Sequence, residues 1–181
     1  MASVEYLIKQ YLSADRKKLN LSNFNLGDKG AVMLAKCKEL SRLQRLGLPN
    51  NNIGDEGATA LANSELFKNL RDLDLYGNVI GDDGVKALLN SPYLSRLRKL
   101  NLYGNLIEDE GAMAIAESPQ LLPNLTYLYL TANRIRKDGI DALKKAKTRT
   151  RLCNLHVDEI EEFVYADDEE DAEIPVKDEE D

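Results

Sequence analysis

A chain of 181 residues with a 43% apolar fraction is long enough for one domain with a full core, and no apolar window approaches a membrane span. With no Trp and only three Phe, that core has to come from Leu, Ile, Val and Ala. The net charge of −7 conceals a division, since from Asp158 onward 14 acidic residues face Lys177 alone, whereas the residues before it carry a net +6.

In chain order, residues 1–15 hold the run SVEYLIKQYL, which predicts a helix capping the N-terminal face of the domain. Glu5 and the polar breaks make this run a poor signal peptide. From residue 16 to 157 the chain repeats itself. A weak copy, KKLNLSNFNLGDKGAVMLAK, comes first. Four strong copies succeed it: LQRLGLPNNNIGDEGATALA from Leu43, LRDLDLYGNVIGDDGVKALL from Leu70, LRKLNLYGNLIEDEGAMAIA from Leu97 and LTYLYLTANRIRKDGIDALK from Leu125. Leu48, Leu75 and Leu102 are spaced by 27 residues, and Leu130 stands 28 further on. A half copy, LCNLHV, places Val157 in the same register.

Each copy has a physical reading. The LxL pair forms a short strand whose leucines point inward while the residues around them point outward. An Asn comes next, where the chain turns away from the sheet: Asn51, Asn78, Asn105 and Asn133. Their amides are expected to satisfy buried backbone groups as a ladder across repeats. Ile53, Ile80, Ile107 and Ile135 close the core behind them. Asp55, Asp82, Asp109 and Asp138 precede or open each helix, as an N-cap or first-turn anion would. Gly30, Gly57, Gly84, Gly111 and Gly139 keep one place, where backbone is expected to pack too closely for a side chain. Phe24 replaces the ladder Asn, which marks a terminal unit. LCNLHV supplies the last strand, and EEFVY is expected to fold over the open end with Phe163. Cys37 and Cys153 form no spaced framework and read as small apolar residues of a reducing compartment. Residues 158–181 are acidic and poor in aromatics, a composition expected to stay disordered.

The pattern LxxLxLxxNxI followed by a small-residue helix is that of the leucine-rich repeat. Copies with IGDEGATALA, of 27 to 28 residues, resemble the ribonuclease-inhibitor type, and SPYLSRLRKLNLYGNLIEDEGAMAIAESP resembles units of small intracellular repeat proteins. The resemblance implies an α/β solenoid, a right-handed horseshoe with a parallel concave sheet and convex helices. It also implies a cytoplasmic protein that binds other proteins along the concave face. Activating proteins for the small GTPase Ran belong to the same group and also end in an acidic tail, so regulation of a small GTPase is the alternative. Docking through the solenoid ends as a structural assembly part is a third reading.

Nothing in the sequence points to catalysis. His156 is the only histidine, no phosphate-binding glycine loop is present, and the cysteines have no metal-ligand spacing. No enzyme activity, cofactor or metal is therefore expected. The outward-facing strand residues are more informative. Lys17, Lys18, Arg45, Arg71, Arg98 and Lys99 make a basic edge, and Tyr76, Tyr103, Tyr127 and Tyr129 lie beside it, with Asp74 and Asn101 between. Tyr and Arg dominate interface hot spots because they bury area at low entropic cost. This face is expected to take an extended, acidic protein segment. Nucleic acid is disfavoured, because a net +6 is modest and the tail repels phosphate. The tail itself is a candidate for folding back on the basic edge.

Overall fold

A computed structural model describes residues 3–117, 123–147 and 154–158. Helix α1 (Val4–Tyr11) precedes six strands of three residues each. These are β1 (Lys18–Asn20), β2 (Arg45–Gly47), β3 (Asp72–Asp74), β4 (Lys99–Asn101), β5 (Tyr127–Tyr129) and β6 (Asn154–His156). Between them run α2 (Gly27–Lys36), α3 (Asp55–Ala62), α4 (Asp82–Leu89), α5 (Asp109–Glu117) and α6 (Lys137–Lys147). The sheet is parallel and open, and every strand lies beside its neighbour in sequence. A helix needs about 10 Å of width and a strand only about 4.8 Å, so a one-to-one stack curves with its sheet on the inside. This is the α/β solenoid that the repeat predicts.

The core is a set of columns. Leu19, Leu46, Leu73, Leu100 and Leu128 are register partners along the sheet. Leu21, Leu48, Leu75, Leu102 and Leu130 form the next column, and Ile53, Ile80, Ile107 and Ile135 back them; all are buried. Leu40, Phe67 and Leu94 fill the equivalent place between helix and strand. At the N-terminal end α1 is started by Ser3, whose Oγ accepts the Tyr6 N–H at 3.2 Å. Val4, Leu7 and Ile8 of α1 are buried, and the Tyr11 ring meets Phe24 edge-on at 5.3 Å. At the other end Leu155 and Val157 are only partly buried. Cys153 and the EEFVY run lie outside the described residues.

Three strand residues cannot hold a sheet by themselves, and side chains that cross between repeats supply what is missing. Asn78 Oδ1 accepts the N–H groups of Asn51 (3.1 Å) and Ile53 (3.0 Å) in the preceding repeat. Its Nδ2 donates to the carbonyls of Leu48 (3.0 Å) and Leu75 (2.9 Å). Asn51 bridges in the same way one repeat earlier, Asn105 one repeat later and Asn133 two repeats later. Phe24, in the first copy, contributes only its N–H, to Asn51 Oδ1.

Asp55, Asp82, Asp109 and Asp138 stand in the first turn of their own helices, as expected of a first-turn anion, but the carboxylates of the first three bond to the helix that follows. Asp55 Oδ1 accepts the N–H groups of Gly81 (2.7 Å) and Gly84 (2.9 Å), so it caps α4 rather than α3. Asp28 does this for α3, Asp82 reaches the Glu108 N–H ahead of α5, and Asp109 serves α6 through Arg136 and Gly139. The reason lies in the stacking. Each first turn lies beside the N-terminus of the next helix, and the carboxylate satisfies that neighbour's orphan N–H groups and dipole. The recurring glycine makes the approach possible: a Cβ on Gly84 would stand 2.5 Å from Asp55 Oδ1.

One more position recurs. Asn23, Asn50, Gly77, Gly104 and Ala132, just before the ladder Asn or its Phe24 replacement, all have φ between 54° and 65°. Gly and Asn tolerate this left-handed geometry; alanine does so at a cost. The Ala132 N–H is held by the Asp158 carboxylate at 2.9 Å.

These contacts set the stability of the stack. Asn78→Ala strands several buried backbone groups and is expected to lose about 3 kcal/mol or more in urea unfolding, at about 1–3 kcal/mol for each buried group left unpaired. Asp55→Ala removes a cap and should cost about 1 kcal/mol, lowering Tm by about 2–4 °C. Ala132→Gly should raise Tm by a similar amount, because it relieves the left-handed strain. A thermal melt in which Ala132→Gly is neutral and Asn78→Ala costs no more than a surface change would contradict this account of the turns.

Candidate functional site

The outward side chains of the strands form the face opposite the helices, and the register decides which of them are neighbours. Lys18, Arg45, Asp72, Lys99, Tyr127 and Asn154 are successive partners in one column. Lys17, Gln44, Arg71, Arg98 and Thr126 precede them as an edge column. Their backbones join the ladder: the Arg71 carbonyl accepts from the Arg98 N–H (2.7 Å) and the Lys99 N–H (3.0 Å). The basic edge expected from the sequence is thus two adjacent columns. Asp72 interrupts one of them and binds Arg45 Nε at 2.8 Å. At the N-terminal end Asp15 faces Lys17 and Lys18. Its carboxyl is held below the usual value, first by the Ser13 hydroxyl and then by the Lys17 N–H and the two lysine charges. Arg71 and Arg98 have no ion-pair partner among the described residues.

The aromatic residues divide into two stacks. Tyr76 and Tyr103 come directly after the LxL pairs of β3 and β4, and their rings stack at 5.2 Å with a 27° interplanar angle. Each is 39% exposed. Asp74 and Asn101 set this arrangement: each Oδ1 accepts the N–H of the tyrosine two residues later, at 3.1 Å. These two residues therefore position the tyrosines. The second stack pairs Tyr129 with His156, ring centroids 4.6 Å apart and planes nearly parallel, and the Lys99 ammonium lies 5.1 Å from the Tyr129 centroid. His156 is thus a ring partner at the end of the face. Its place after Tyr129 in the 27-residue register is the signal that points to it.

Tyr127, 43% exposed, borders a hollow of about 450 Å³ with Asp72, Arg98, Lys99, Asn124 and Thr126. Sequence reasoning alone does not place Asn124 and Thr126 among the partner-binding residues. Both side chains donate to carbonyls of the preceding repeat, Asn124 to Ser95 at 2.8 Å and Thr126 to Arg98 at 3.1 Å. The Arg98 guanidinium, the Lys99 ammonium and the Tyr127 hydroxyl therefore remain donors for a ligand. A planar cation beside an aromatic wall suits a carboxylate, which Arg binds with two parallel hydrogen bonds. Among the described residues no group of His, Cys, Asp or Glu is placed to hold a metal ion.

Comparison with known proteins agrees with this fold. No curated protein matches the chain in sequence. Among solved structures, the tropomodulin C-terminal domain of Caenorhabditis elegans is similar, with 16% identity and a TM-score of 0.56 over 82% of this chain and 93% of that one. Leiomodin-1 actin-binding site 2 also shares 16% identity, with a TM-score of 0.50 over 81% of this chain and 86% of that one. At such identity the likeness speaks to the fold. The model of the leucine-rich repeat family matches residues 17–35, 43–62, 68–89, 94–116 and 122–144, more than half of the chain. With five matched units stacked through one asparagine ladder, the chain belongs to the leucine-rich repeat family.

Proposed function

We propose that this chain is a non-catalytic, cytoplasmic protein-binding module that takes an acidic, extended segment of its partner across β3, β4 and β5. The observation that carries this reading is the pairing of the exposed Tyr76–Tyr103 stack with Arg71 and Arg98, cations without an ion-pair partner among the described residues. The stack offers flat apolar area that is already ordered, so little side-chain entropy is lost on contact. The two arginines immediately precede adjacent strands about 4.8 Å apart, so their long side chains can reach carboxylates on alternate residues of an extended peptide, about 6.6 Å apart. Lys99 and Tyr127 extend the same surface to β5. Actin is the first purified protein to test, because the leiomodin-1 segment of like fold is an actin-binding site.

The test compares the full chain with Tyr103→Ala and Arg98→Glu, variants at exposed positions that leave the leucine columns and the asparagine ladder untouched. Binding to a captured cytosolic protein or to actin is expected to weaken by about 10-fold or more in each, as for hot-spot residues. Circular dichroism should show an unchanged fold. Equal binding by all three chains would remove this face as the binding site.

A further inference from the structure

We propose that the acidic C-terminal segment, residues 159–181, occupies the β3–β5 part of the sheet face in the same molecule and so competes with outside ligands. The inference rests on the sheet-face reading above and names a ligand for it that is always present. Three observations lead to it. The first is charge: residues 159–181 contain 13 acidic residues and a single lysine, including the run Asp167-Asp168-Glu169-Glu170-Asp171. The strands and edge column opposite carry Lys17, Lys18, Arg45, Arg71, Arg98 and Lys99 against Asp72 and Asp74, and Asp72 is already bound to Arg45.

The second is the exit point. Asp158, where the segment begins, is tied by its carboxylate to the Ala132 N–H, beside Thr131 in the tyrosine column. The segment therefore starts beside the turn that follows β5. The third is reach. At about 4.8 Å per strand, β4 lies about 10 Å and β3 about 14 Å from β6. Arg98 and Arg71 also stand about 16 Å back along the strands from the level of Asp158, which puts them about 19 and about 22 Å away. Residues 159–166, at about 3.3 Å each, span up to about 26 Å and can reach both.

The hollow beside Tyr127 gives that run an anchor. Arg98 takes one carboxylate in fork geometry, Lys99 lines the same hollow, and Arg71 precedes the neighbouring strand in the same edge column. A tether this short gives an effective concentration in the millimolar range, so individually weak contacts suffice to hold the segment. An outside ligand then has to displace it, which sets an affinity threshold and favours partners that also engage the Tyr76–Tyr103 stack.

Zero-length carbodiimide cross-linking of the full chain, read by mass spectrometry, tests this directly, because the reagent joins lysine amines to carboxylates. At about 0.01 M salt, where the Debye length is about 30 Å, residues 167–173 should couple to Lys99 in preference to Lys36 and Lys144 on the helices. The preference should fall about tenfold or more at about 1 M salt, where that length is about 3 Å, and in the Arg71→Glu/Arg98→Glu chain at low salt. Mixing isotopically heavy and light chains should show couplings within one chain. Equal coupling to helix and sheet lysines, couplings between chains, or indifference to the double reversal would each overturn the proposal. A fold-back that fails while Arg98→Glu still loses an outside partner leaves the binding-face reading intact. A fold-back that holds while no partner depends on the face removes that reading alone.

Discussion

The solenoid depends on a buried asparagine that each repeat lends to the one before it. A parallel strand of three residues makes too few backbone bonds to set its own register. At the turn where it leaves the sheet, several N–H and C=O groups are cut off from both water and strand partners. The Asn78 amide meets those of two repeats at once, and its side chain is almost wholly buried. Burying such groups unpaired costs more than the paired bond contributes, so the requirement is strict. The aspartates work in the opposite direction, from one helix forward to the next. Each repeat is therefore clasped backward by an amide and forward by a carboxylate, and the leucine columns fill the space between.

The surface inherits this rigidity. Because the register is set inside, the outward residues of β1 to β6 stand in columns at strand spacing, and their contacts depend on the column each one occupies. Asp72 falls beside Arg45 and spends its charge there, which leaves Arg71 and Arg98 in the neighbouring column without an ion-pair partner among the described residues. Tyr76 and Tyr103 stack because they share a column and because Asp74 and Asn101 hold the backbone in front of each ring. A face ordered before contact loses little entropy on binding, which suits a recognition surface.

Much of this was legible in the sequence. The period, the leucine columns, the asparagine ladder and the parallel order all emerge from copies aligned on Leu75. The direction of the aspartate contacts was not, since Asp55 in the first turn of α3 has the position of an ordinary intrahelical anion. Only the packing of adjacent helices shows that it caps α4. The six cations likewise read as one edge when strand residues are taken in pairs. Alternation along the strand separates Arg98 from Lys99, and the register then sets Lys99 beside Asp72. Asn124 and Thr126 carry no binding signal of their own, because their place at the hollow comes from bonds to carbonyls of the preceding repeat.

The central claim is that recognition happens on the strands while the helices serve as scaffold. Chemical-shift mapping of the full chain against its bound protein tests this most directly, since it reports every backbone amide at once. The account predicts shifts concentrated at Arg71, Tyr76, Arg98, Tyr103 and Tyr127, with α3, α4 and α5 unmoved. Shifts centred on those helices, or on α1 at the end of the stack, would contradict it.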